Sequence, residues 1–114
     1  MTVDEMARSA QLEVRTAADH LDAEVTGGYA CDLLSAVMAN AREGNVWVTW
    51  HTHPNIVAVA VAARLSAIVL VAGRQPEEAT AVKAEAEGVP VLVSKFHAFE
   101  TVARLHDMGI SGAR

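Results

Sequence analysis

At 114 residues the chain has room for one domain and one sizeable core. Hydrophobic residues make up 52% and aromatic ones only 4%, so that core must be built from Val, Ala, Leu and Ile. The nine Lys and Arg are scattered through a chain of net charge -5, which argues against nucleic acid, because phosphates require a basic stripe. A single cysteine, Cys31, excludes an internal disulfide and any multi-cysteine metal site.

Residues 1–8 mix charges with apolar groups and do not read as a signal peptide. Thr2 and Glu5 have capping-box spacing, and Val3, Met6, Ala7 and Ala10 recur at helical spacing, which predicts a helix over 3–9. Residues 12–16 alternate apolar and polar as a half-buried strand does. Residues 23–29 read as a second extended piece, interrupted by Gly27 and Gly28. Asp32 is placed to cap a helix carrying Leu34, Val37, Met38 and Ala41, with Gly44 as its end. Residues 46–50 are a buried strand, and Pro54 then permits a helix over 53–65.

Residues 67–71 form another continuous apolar strand, closed by Gly73. Pro76, Glu77 and Glu78 open a polar helix that Gly88 stops, and residues 90–93 are a third short strand. Phe99, Val102, Leu105 and Met108 mark the buried stripe of a last helix ending at Gly109. From residue 46 onward strands and helices alternate, so the strands should be parallel, with right-handed crossovers. The expected fold is α/β: one small domain over residues 1–114, mostly parallel sheet with helices on its faces. The apolar run over 55–72 is divided by Arg64 and Ser66 into pieces shorter than the ~20 residues of a membrane span. A cytoplasmic chain without membrane attachment is the expectation.

Several stretches in the same order resemble the DRTGG domain family. The first runs from Val25-Thr26-Gly27-Gly28-Tyr29 through Cys31-Asp32-Leu33-Leu34-Ser35 to Val37-Met38. The second is Trp47-Val48-Thr49 leading into Thr52-His53-Pro54-Asn55-Ile56. Gly73-Arg74-Gln75-Pro76, Gly88-Val89-Pro90-Val91-Leu92 and Ala98-Phe99-Glu100 with Gly109-Ile110 follow. The loop that names the family corresponds here to His51-Thr52-His53-Pro54-Asn55, which lacks the acidic and arginine positions. The resemblance implies a free-standing module beside the soluble iron-only hydrogenase system. It implies dimerisation or regulation, with chemistry left to neighbouring proteins, and no cofactor. Some family members carry the label of a kinase acting on HPr, but no G-x-x-x-x-G-K-[ST] cradle for a nucleotide's phosphates is present.

Three features carry candidate function. His51 and His53, two apart at a strand end, could share a metal and support a metal-dependent hydrolase. No third and fourth ligand is guaranteed, and capping or packing of the two rings is the stronger alternative, so no metal is assigned. The second feature is the crevice at the strand carboxyl ends, where His51, Thr52, His53, Asn55, Gly73, Arg74, Ser94 and Lys95 converge. A nucleotide or phosphate held by Arg74 and Lys95 is one reading of it. Ordinary caps, with Arg74 paired to Glu77 or Glu78, are the other.

The third feature is the run from Ile56 to Ala63, apolar on every side. A helix of that kind must be covered all round. Ile56, Val57, Val59, Ala60 and Val61 are therefore candidates for a homodimer interface, and the alternative is cover by the chain's own sheet. No complete catalytic constellation is visible. The leading expectation is a non-enzymatic homodimeric module for regulation or assembly, with a redox enzyme or other protein as partner. A small-molecule sensor is the alternative.

Overall fold

The computed structural model describes residues 1–112, so the last two of the 114 lie outside it. The elements in chain order are α1 (Val3–Ser9), β1 (Glu13–Val14), β2 (Gly27–Ala30), α2 (Leu34–Asn40), β3 (Asn45–Thr49), α3 (Asn55–Ala63), β4 (Ala67–Leu70), α4 (Glu78–Glu87), β5 (Val91–Val93) and α5 (Ala98–Asp107). The sheet has the order β1-β5-β4-β3-β2. Strands β2 to β5 run parallel and only the short edge strand β1 is antiparallel. The α/β expectation holds.

Alternation along the strands divides the core in two. Val46, Val48, Ala67, Val69, Val71 and Leu92 face α1 and α5, where Val3, Met6, Ala7 and Leu105 cover them. Trp47, Ile68, Leu70, Val91 and Val93 face α2, α3 and α4. One face of the sheet thus carries two helices and the other three.

Local chemistry sets the boundaries. At α1 the capping box forms as expected: the Glu5 amide donates to the Thr2 hydroxyl at 3.2 Å and the Thr2 amide to the Glu5 carboxylate at 2.9 Å. Helix α2 departs from expectation at both ends. It begins after Leu33 with no side-chain cap, and the Asp32 carboxylate points instead to β3. It stops at Asn40, because Ala41 is already extended (ψ 149°) and Gly44 makes a later turn at φ 82°.

Helix α3 also corrects the expected dimer interface. Ile56 and Val57 are fully buried and Ala60 and Val59 nearly so, in the core cluster of this chain's own sheet. Helices α2 and α4 pack on its two sides. Of the five interface candidates only Val61 is open to solvent, at 46%. The middle position on a three-helix face supplies the cover that a second copy was invoked to supply.

The opposite error occurs at α5. Its expected buried stripe is covered at Leu105 and partly at Met108, but Phe99 is 91% exposed and Val102 38%. Met38, expected in the core, is exposed as well. For α5 the reason lies in β2, the edge strand at this end of the sheet. It presents Gly28 and Ala30 on the α5 side, and these offer little surface for a helix to bury against. Glycine also allows a close approach there. A Cβ at Gly28 would come within 3.3 Å of the Ile110 side chain, and one at Gly27 within 3.0 Å of the Ser111 carbonyl. Residues 110–112 lie against that edge, with the Gly28 amide donating to the Ser111 carbonyl at 2.8 Å.

Candidate functional site

The carboxyl ends of β2, β3, β4 and β5 open at one end of the molecule, where parallel sheets commonly hold ligands. None of the expected loop residues lines the cleft found at this end. His51 and His53 lie beyond the end of β3, so strand alternation does not align them. The His51 ring bonds the Asp32 carbonyl, while Nδ1 of His53 accepts from the Asn55 amide at 3.0 Å. The Thr52 carbonyl accepts from the Thr80 hydroxyl at 2.6 Å and from the Glu77 amide at 3.2 Å, which pins this loop to α4.

Ser94 is buried and fully engaged, sharing a 2.7 Å bond with the Thr101 hydroxyl and accepting from the Phe96 amide. It secures the start of α5 and is not free to hold a ligand. The Lys95 ammonium lies 5.2 Å from the Phe96 ring centre. Arg74 corrects the expected pairing with Glu77 or Glu78. Ala72 (φ 59°) and Gly73 (φ 68°) make a left-handed turn closed by the Arg74 amide on the Val71 carbonyl at 3.1 Å. The turn carries the guanidinium back over the Trp50 ring, 3.6 Å from its centre, where it donates to the Trp50 carbonyl.

What the fold does assemble here is a cleft of about 190 Å³, lined by Ala30, Cys31, Asp32, Val48, Thr49, Trp50, Val71 and Ala98. It lies on the α5 side of the sheet, with Ala30, Val48 and Val71 as an apolar floor. Asp32 sits at its end. The Thr49 hydroxyl at 2.7 Å and the Trp50 amide at 2.8 Å both donate to Oδ1. Desolvation pushes this carboxyl up, but the Trp50 amide, the Thr49 hydroxyl and the nearby His51 together hold it below its ordinary value. It is ionised at neutral pH.

Cys31 is partly buried, and its Sγ accepts weakly from the Leu33 amide at 3.4 Å. Ala30 and Val48 also belong to a second groove of about 300 Å³ running along α5, lined besides by Gly28, Tyr29, Val102, Leu105, His106, Ile110, Ser111 and Gly112. Leu33 and Trp50 are 64% and 52% exposed, and Trp50 also lines the cleft.

A model of the DRTGG domain family matches residues 16–108. The chain belongs to the DRTGG domain family. Among solved structures, the CBS and DRTGG domains of the regulatory region of Clostridium perfringens pyrophosphatase, complexed with the activator diadenosine tetraphosphate, superpose with a TM-score of 0.70. The identity is 11%, and the match covers 91% of this chain and 45% of that one, so this DRTGG chain spans less than half of its structural neighbour. At that identity the likeness is one of fold. No curated protein matches the sequence.

Among the described residues no group of three His, Cys, Asp or Glu could hold a metal ion. No helix among them is long and apolar enough to cross a membrane. None of the residues lining the cleft is among the ligand candidates the sequence offers, and Asp32 is expected there only as a helix cap. The missed signal is a polar pair, Thr49-Trp50, closing a wholly buried strand. The Thr49 hydroxyl and the Trp50 amide needed an acceptor from the neighbouring strand end, and Asp32 follows β2 at the matching register.

Proposed function

We propose that this DRTGG chain is a non-catalytic regulatory or assembly module of the cytoplasm that works as a homodimer, pairing through the exposed apolar side chains of α5. The observation that carries this reading is Phe99, 91% exposed on a helix whose next stripe residue, Val102, is also uncovered. Phe99 and Val102, three residues apart in α5, are neighbours on the helix surface. Contiguous exposed apolar surface of this kind marks an interaction site, and aromatic side chains dominate the binding energy of such surfaces. The family resemblance points the same way, toward self-association. It also suggests a redox enzyme of the iron-only hydrogenase system as the protein served.

Sedimentation velocity across a concentration series tests the pairing, with a dimer expected at micromolar concentration. A pull-down from native cells at low salt tests the partner, with a redox enzyme expected in the eluate. A chain that sediments as a monomer throughout the series would remove the reading.

A second reading is a sensor that binds a nucleotide at the strand carboxyl ends. It is favoured by a structural neighbour whose regulatory region is complexed with diadenosine tetraphosphate as its activator. The cleft beside Asp32 is an open place for part of such a ligand. Calorimetry with AMP, ATP and acetyl phosphate tests it, and the absence of heat with all three would count against it.

A further inference from the structure

We infer that the cleft between the end of β2 and the start of α5 is a nucleoside subsite, in which the second carboxylate oxygen of Asp32 accepts from the hydroxyls of a ribose. This deepens the sensor reading and rests on it. Both bonds that Asp32 receives end on Oδ1, and among the described residues no donor reaches Oδ2. An ionised carboxylate only accepts, so a ligand meeting it must bring donors. No Lys, Arg or His is among the residues lining the cleft. The nearby Arg74 is already engaged with the Trp50 ring and carbonyl. A phosphate therefore finds an acid there and no cation, which shifts the expectation for this crevice away from bare anions.

A vicinal diol fits the requirement. It offers two donors to one carboxylate, and a carboxylate reading ribose hydroxyls beyond the ends of parallel strands is a recurrent solution in α/β folds. The rest of a nucleoside is flat and weakly polar. The floor of Ala30, Val48 and Val71 continues through Ala30 and Val48 into the groove along α5, where Gly28, Val102 and Leu105 leave room for a base. Volumes of about 190 and 300 Å³ for the two compartments suit a small ligand. Neither compartment alone is generous enough for a whole dinucleotide.

The test is titration calorimetry on the full chain with adenosine, 2′-deoxyadenosine, AMP and inorganic phosphate. It is repeated on Asp32→Asn, which keeps an acceptor for Thr49 and Trp50, and on Ala30→Leu, which fills the cleft without changing charge. Circular dichroism confirms that each variant is folded. Adenosine and AMP should bind with affinities within about threefold of each other, and phosphate should give no heat. Loss of the 2′-hydroxyl, or Asp32→Asn, should weaken binding by about tenfold, as expected for one hydrogen bond to a charged group. Ala30→Leu should abolish it. If AMP binds while adenosine does not, or if neither 2′-deoxyadenosine nor Asp32→Asn weakens binding, the cleft is not the subsite and the sensor reading survives elsewhere. If neither adenosine nor AMP binds, both fall.

Discussion

Helices α3 and α5 invert what their sequences suggest. Helix α3 is apolar all round and has its bulk inside the chain, whereas the amphipathic α5 leaves Phe99 and Val102 in solvent. The difference is one of position on the sheet. Helix α3 packs on the face that carries three helices, with α2 and α4 beside it. Helix α5 shares the other face with α1 alone, beside an edge strand that presents Gly28 and Ala30. Hydrophobic pattern reports how much surface an element must hide. It does not report whether the neighbours that hide it belong to the same chain.

The sharpest way to break this comparison is Val57→Asp. Burying an unpaired carboxylate in a dry core costs at least about 4 kcal/mol, so the chain should fail to show a cooperative thermal transition. If α3 were instead a docking surface, the same variant would fold as a well-behaved monomer. Phe99→Glu should do the reverse, changing the stability of the monomer by no more than about 0.5 kcal/mol while abolishing pairing. Chemical denaturation at high dilution separates the two effects.

Asp32 sharpens the account of the strand ends. Its folded carboxyl lies below its ordinary value, so its ionised form stabilises the fold above the usual carboxylate range. That contribution is lost as pH falls from the ordinary value near 3.8 through the lower folded value. Acid unfolding followed by circular dichroism should therefore be shallower in Asp32→Asn over that window than in the parent chain. The smallest expected effect is at Ala72, held at φ 59°. Ala72→Gly relieves a left-handed conformation that costs an L-residue about 1–2 kcal/mol, partly offset by the greater chain entropy of glycine. A net gain of about 0.5 kcal/mol in a urea melt is expected.

Much of the architecture was legible. The capping box at Thr2, the apolar strands ending at Thr49 and Leu70, and the Gly88 stop of α4 are local signals, read by local rules. The ends of α2 were not legible, because Asp32 has two competing uses and a strand end 17 residues later won it. The site was read only in part. Residues at the strand ends were identified as a group, but the direction of each side chain depends on turns. The left-handed Ala72-Gly73 pair sends Arg74 to Trp50, and the Ser94 hydroxyl is taken by Thr101. Neither a turn hand at an alanine nor a bond across seven residues has a pattern in the sequence.

Pairing through α5 is the central claim, and light scattering of three chains at micromolar concentration tests it most directly. The parent chain should have the mass of a dimer. Val61→Glu, on the exposed remnant of α3, should keep that mass, and Phe99→Glu should halve it. A parent chain that scatters as a monomer, or a Val61→Glu monomer beside a Phe99→Glu dimer, would contradict the assignment.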